Sequence, residues 1–276
     1  MRRSPIDTNS TKNNLVRAFG ASATAGASDP FSQDPSLQPA QTPLWRESLF
    51  ALDWLALRTS PVYFGCGVPR GHGEPVVIVP GFLGSDTYLV ELHSWLARVG
   101  YRPYFSDIGQ NDDCPDHVQG LLLRTVRRAH AESGRRVKII GHSLGGMLAR
   151  SVTLDYPELV ETVISMGSPF RDSVRAHPIL IAATESLRSG ARRGGKNIKP
   201  SCFSGHCTCE FVKNMIAPEE YETRHFAIYS KYDGVVEWES CVEEDSDLNT
   251  EVNCTHIGMA FHPGVYRALG RLLAVS

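Results

Sequence analysis

Apolar residues recur along the chain in two alternating patterns. Short, mostly apolar runs at 74–79, 101–105, 136–140, 160–165 and 225–230, and a short, more polar one at 249–254, read as strands. Runs this short and uniform suit strands covered on both faces. Between them the spacing lengthens to three or four. Tyr88, Leu92, Trp95, Leu96 and Val99 share one helical face, as do Val118, Leu121, Leu122, Val126 and Ala129. Helices are also predicted at 147–154, at 179–187, and through Val265, Tyr266, Leu269, Leu272 and Leu273. Strands alternating with helices at this spacing predict an α/β fold, with a mostly parallel central sheet and helices on both faces.

Two regions break the rhythm. Residues 1–43 are rich in Ser, Thr, Ala, Asn and Pro, and their isolated apolar residues have no period. They read as a disordered or loosely attached tail ahead of a catalytic domain at 44–276. Residues 168–220 carry a basic, glycine-rich stretch and a cysteine cluster, and read as a cap or lid inserted over the site. At 44–58, Leu44, Trp45, Leu49, Leu52, Leu55 and Ala56 fall on one helical face. That face is expected to pack on the domain. The alternative is a transient contact with a membrane surface or a partner, which two tryptophans suit.

Composition adds bounds. The chain has 276 residues, 42% of them hydrophobic, and a net charge of −2. That supplies a sizeable core and gives no reason to expect a nucleic-acid partner. No apolar run is long enough to span a membrane, and no apolar stretch follows Met1-Arg2-Arg3. The expectation is therefore a cytoplasmic protein. Seven cysteines leave one unpaired in a monomer. Cys241 and Cys254 could form a disulfide bracing the loop between them. Cys202, His206, Cys207 and Cys209 could form a zinc knot, although the C-x4-C-x-C spacing is poor for it. Arg188, Arg192, Arg193, Lys196 and Lys199 read as a solvated cap face, the alternative being contact with anionic head groups.

The candidate chemistry centres on Gly141-His142-Ser143-Leu144-Gly145-Gly146, a G-x-S-x-G between a predicted strand and a predicted helix. A serine on such a turn is lifted above the sheet at a helix N-terminus, where backbone N–H groups can stabilise an oxyanion. A side chain at Gly141 or Gly145 would collide within the turn. Two further strands end at Asp233 and His256, giving the chain order Ser143, Asp233, His256. All three fall at strand carboxyl ends, where parallel sheets bind ligands. Rival acids are Glu237, Asp245 and Asp107; rival bases are His262, His142 and His225. Asp233 is favoured because it follows its strand directly and Gly234 permits a tight turn. His256 is favoured because it lies between the last strand and the last helix, whereas His262 before Pro263 reads as that helix's approach. Pro80-Gly81-Phe82-Leu83 ends the first strand. Its Phe82 N–H would pair with the Leu144 N–H as the oxyanion hole, with Gly81 and Leu83 against the substrate. His142 is a candidate substrate contact, or packing beneath the nucleophile.

Taken together, the motifs at 79–84, 141–146, 166–170, 229–236 and 255–259 resemble those of bacterial α/β-hydrolase-fold serine esterases and lipases. The resemblance covers about 74–275. It implies carboxylic-ester hydrolysis through an acyl-enzyme on Ser143, with a small-molecule or lipid ester as substrate and no cofactor or metal. The family also contains acyltransferases, thioesterases, amidases and inactive members, so acyl transfer or a non-catalytic binding role stands as the alternative.

Overall fold

The computed structural model describes residues 44–170, 197–198, 209–216 and 223–275. Six parallel strands form one sheet in the order β2-β1-β3-β4-β5-β6. They are β1 (Pro75–Val79), β2 (Arg102–Phe105), β3 (Val137–His142), β4 (Val160–Met166), β5 (Arg224–Tyr229) and β6 (Asn249–Glu251). Each overlaps one of the six runs read as strands. The helices are α1 (Phe50–Thr59), α2 (Val90–Arg98), α3 (Pro115–Ser133), α4 (Leu144–Asp155), α5 (Glu210–Ile216) and α6 (Pro263–Ala274).

The sheet has an apolar layer on each face, because alternate side chains of a strand point to opposite sides. Val76 and Ile78 join Leu92, Trp95, Leu96, Tyr266 and Leu269 on the side of α2 and α6. Val77 and Val79 join Val118, Leu122, Val126, Leu148 and Val152 on the side of α3 and α4. Each fully buried aliphatic side chain contributes about 1.5–3 kcal/mol. The central strands are buried on both faces, which is why they read as uniform runs rather than as alternating ones.

Three expectations need correction. The segment before α1 is a 3-10 turn, Leu44–Leu49, not a continuous α-helix. Its tighter winding shifts the face. Trp45, Leu49, Leu52, Leu55 and Ala56 all point outward, Trp45 with 66% of its surface exposed, while Glu47 and Leu57 are buried and Asp53 is half-buried. The helix after Ser143 starts at Leu144, three residues earlier than its periodicity suggests, because Gly145 and Gly146 mask it. The insertion contains the unforeseen short helix α5, whose Phe211 is buried. The tail at 1–43, the helix at 179–187, most of the basic stretch, and Cys202, His206 and Cys207 lie outside the described residues. Among the described residues no helix is long and apolar enough to cross a membrane.

Candidate active site

The loops after β1, β3, β5 and β6 converge at the carboxyl end of the sheet. At the centre, β3 turns directly into α4 through Ser143, whose backbone has φ +52° and ψ −124°. A non-glycine residue rarely adopts this conformation. It is held from both sides. The Ser143 N–H donates to the Met166 carbonyl at 2.8 Å, and the Gly146 N–H donates to the Ser143 carbonyl at 3.0 Å. The elbow is also closely packed. A Cβ on Gly141 would lie 2.4 Å from the Gly146 Cα, and one on Gly145 would lie 2.4 Å from the Val79 carbonyl oxygen. Both glycines therefore permit the close approach that the sequence suggested.

Asp233 and His256 meet in a buried pair, Oδ2 to Nδ1 at 2.6 Å. The other Asp233 oxygen accepts the backbone N–H groups of Val235, at 2.8 Å, and Val236, at 2.9 Å. The aspartate thus forms its local turn with one oxygen and holds the histidine with the other. With Nδ1–H donating to the carboxylate, Nε2 keeps its lone pair. Burial disfavours charge on His256, but Asp233 opposes it through its charge and hydrogen bond, and Glu47 adds to that. The net effect raises the histidine above its ordinary pKa. Ser230 ties the two loops together: its hydroxyl donates to the Cys254 carbonyl at 2.5 Å and accepts from the Tyr232 N–H at 3.1 Å.

His142 lies beneath this pair. It is 4% exposed, and its Nε2 donates to the His256 carbonyl at 3.0 Å. Burial, followed by the neighbouring His256, pushes its pKa down to about 3, so the ring is neutral. Its Nδ1 has no hydrogen-bond partner among the described residues. The histidine thus braces the His256 backbone from within the protein.

The rival groups stand elsewhere. His225 is buried near the start of β5, away from the strand's carboxyl end. His262 caps α6 by accepting the Gly264 N–H at 3.1 Å. Asp245 caps a 3-10 turn, and Asp107 pairs with Arg128 at 2.6 Å. Glu237 precedes the 3-10 turn Trp238–Cys241.

The Pro80–Gly84 loop packs on the elbow. A Cβ on Gly81 would lie 3.1 Å from the Ser143 Cβ. Phe82 follows at the rim, and Leu83 is 43% exposed with φ +61°. Leu144 opens α4, so its N–H belongs to the first turn, whose donors have no intrahelical acceptor. The loop is fastened by Asn111, which sequence reasoning missed. Asn111 is 1% exposed; its Nδ2 donates to the Pro80 carbonyl at 2.9 Å. Its backbone N–H donates to the Gly84 carbonyl, and its carbonyl accepts the Leu83 N–H, both at 2.8 Å. Its only sequence signal was membership of the polar loop after β2.

Cys241 and Cys254 are separate buried thiols, so the disulfide that their positions allowed is not formed. Burial, reinforced by nearby carboxylates including Asp233, pushes both thiols well above their usual pKa, leaving them unreactive. Among the described residues no group of three or more His, Cys, Asp or Glu is arranged to hold a metal ion.

The profile of the class 2 lipases matches residues 110–258. The chain belongs to this lipase family. A triacylglycerol lipase of Burkholderia plantarii is 30% identical over 128 residues, which is 43% of this chain and 36% of that protein. The chain spans about a third of the length of the curated relatives it matches. A Bacillus licheniformis lipase in its mature form superposes with a TM-score of 0.54 at 18% identity, covering 75% of this chain and 94% of the other. A metagenomic carboxyl esterase superposes with a TM-score of 0.57 at 12% identity, covering 95% and 98%. These structures establish the α/β-hydrolase fold. The segment matched by the family includes Ser143, Asp233 and His256, but not the Pro80–Gly84 loop or the segment before α1.

Proposed function

We propose that the protein is a serine hydrolase of carboxylic esters, working through a covalent acyl-enzyme on Ser143. The observation that carries this reading is the buried 2.6 Å Asp233–His256 pair at the same end of the sheet as a serine held at φ +52° on a strand-to-helix elbow, the elbow's His142 bonding the His256 carbonyl. That arrangement is strained and desolvated, and a structural role alone does not require it. The triacylglycerol lipases among its relatives support an ester substrate.

In the proposed reaction the Ser143 Oγ attacks the ester carbonyl carbon while His256 Nε2 takes the hydroxyl proton. The carbonyl π electrons move onto oxygen. The Leu144 and Phe82 N–H groups are the proposed donors to that oxyanion, each worth about 3–4 kcal/mol in the barrier. The oxyanion then collapses, the bond to the alcohol oxygen breaks, and His256 returns the proton to the departing alkoxide. Water repeats the sequence on the acyl-enzyme and releases the acid. Throughout, Asp233 keeps the imidazole in the required tautomer and stabilises its cation.

The test combines a p-nitrophenyl ester series of increasing acyl length, with and without a lipid interface, and labelling by a fluorophosphonate. Wild type should turn over esters and label. Ser143→Ala should do neither while keeping its melting temperature. Ester turnover or labelling retained in Ser143→Ala would refute the assignment. A jump in rate at the interface would specify a lipase, and its absence an esterase.

A further inference from the structure

Glu47 lies in the 3-10 turn before α1, outside the family-matched segment, and is 5% exposed. A buried glutamate requires partners. Its partners are all backbone donors of the two loops that carry the His256 pair. One carboxylate oxygen accepts the Gly234 N–H at 3.2 Å and the His256 N–H at 3.1 Å. The other accepts the Ile257 N–H at 2.8 Å. Gly234 directly follows Asp233, so one side chain fixes the residue beside the acid and the residue that supplies the base.

We propose that Glu47 is a positioning residue for the hydrolytic reaction, a second carboxylate that locks the Asp233 and His256 loops in register and adds negative charge beside the imidazole. This rests on the acyl-enzyme reading above. The register argument is geometric. The three donors come from two loops, 187, 209 and 210 residues away from Glu47 in sequence. One oxygen bridges the two loops, and the second is needed to accept the Ile257 N–H as well. An apolar replacement would strand buried N–H groups, and a glutamine would turn an N–H₂ toward at least one of them.

The charge argument follows from what surrounds His256. Asp233 faces the ring from the loop after β5, His142 lies against it from the elbow at 4.8 Å between ring centroids, and Glu47 lies behind its backbone. Behind the following turn, the Tyr88 hydroxyl donates to the Ile257 carbonyl at 2.8 Å, and Asp53 crowds Gly258. The Asp53 carboxyl is pushed up to about 6, by burial first and then by Glu47. His142 is neutral, so the carboxylates dominate the field at the imidazole. Asp233 alone contacts the ring; Glu47 acts through space and through the backbone.

The experiment compares full-length wild type with Glu47→Gln and Glu47→Asp, measuring folding, kcat and KM for a p-nitrophenyl ester across pH, and fluorophosphonate labelling. Glu47→Gln should keep KM within about threefold and lose about 10- to 100-fold in kcat, the scale expected when a catalytic group is misplaced by a fraction of an ångström. The acidic limb of its kcat/KM profile should move to lower pH, because loss of a negative charge disfavours the imidazolium. Glu47→Asp withdraws the charge by one methylene, so its limb should move in the same direction but less far, again with kcat reduced. It is the deciding variant if Glu47→Gln does not fold. A folded variant with an unmoved limb would reduce Glu47 to a structural tie and overturn the proposal, as would a kcat within twofold of wild type. Wild type that fails to label would overturn the acyl-enzyme reading and this inference with it. Normal wild-type labelling with unshifted variants would overturn this inference alone.

Discussion

The His142 ring donates from Nε2 to the carbonyl oxygen of His256 at 3.0 Å, so the residue before the candidate nucleophile supports the backbone of the candidate base. This links the loops after β3 and β6, two strands separated in the sheet by β4 and β5. His142→Ala leaves that carbonyl with the Met259 N–H, a longer bond at 3.3 Å. We expect stability to fall by about 0.5–1.5 kcal/mol, the net worth of one hydrogen bond. The fall in kcat should be about tenfold, with KM little changed, since the ring is buried. Urea denaturation and steady-state kinetics of the same preparation check both. A large rise in KM with kcat intact would instead indicate that His142 contacts substrate.

Strain at Ser143 gives a second expectation. Its φ of +52° is costly for any residue with a Cβ, by about 1–3 kcal/mol. Glycine relieves the strain but adds about 0.5–1 kcal/mol of unfolded-state entropy. Ser143→Ala keeps the strain. Ser143→Gly should therefore be the more stable of the two inactive variants, by about 1 kcal/mol. Equal melting temperatures would mean that the elbow stores little strain.

The Pro80–Gly84 loop offers a third. The Asn111 side chain donates to the Pro80 carbonyl, and the two backbone bonds to Leu83 and Gly84 remain when it is truncated. Asn111→Ala should loosen the loop and lower kcat by about tenfold. Asn111→Asp should be worse than alanine, because a carboxylate cannot donate and would face a carbonyl in a buried position. Ester kinetics of the two variants test that ranking.

These residues show which parts of the molecule were legible. The central strands could be read because double-sided burial makes each a short uniform run, whereas the edge strands β2 and β6 are partly exposed and were placed by their flanking loops. Each strand ends at a loop whose chemistry is local. Asp233 and His256 were found that way, and they meet at 2.6 Å. Glu47 and Asn111 were not found. Each acts on backbone groups of distant segments, and no local periodicity marks a side chain whose partners lie 187 or 31 residues away. The apolar face at 44–58 was misread because periodicity gives a shared face but not its direction: Leu52, Leu55 and Ala56 of α1 face outward, and the 3-10 turn before it follows a different period. The pair Cys241 and Cys254 illustrates the same limit: flanking a loop in sequence does not place two sulfurs together.

Acid should destabilise the fold. His142 is pushed down to about 3, by burial and then His256; His225 is held well below its ordinary value, by burial and then Arg150. Both are neutral when folded and regain an ordinary pKa near 6.5 when unfolded. Their contribution is complete above pH 6.5 and is lost as pH falls toward the folded values. His256 runs the other way: its folded pKa is raised, so its contribution is complete below the unfolded value and lost as pH rises through the folded one. Two groups outweigh one, and the melting temperature should drop between pH 6.5 and 4.5. His225→Leu should flatten that slope, whatever it does to stability at neutral pH. An unchanged slope would remove His225 from the account.

A buried ion pair supports the elbow helix from behind. Arg150, on α4, bonds Glu243 in the segment between β5 and β6, and its guanidinium lies 3.7 Å from the Phe170 ring centre at the exit of β4. The two side chains are 1% and 6% exposed. Such a pair gains little over a well-packed apolar substitute, because both charges lost their hydration on folding. Breaking it is different. Arg150→Met removes a buried cation bonded to the Glu243 carboxylate and should cost about 3–5 kcal/mol. Arg150→Met with Glu243→Leu should recover much of that loss, because neither charge then remains to be desolvated. Denaturant unfolding of the two single variants and the double variant gives the coupling directly. If the double variant were as unstable as the sum of the singles, the two residues would be acting independently, and the stacking of Arg150 on Phe170 would have to account for the helix support instead.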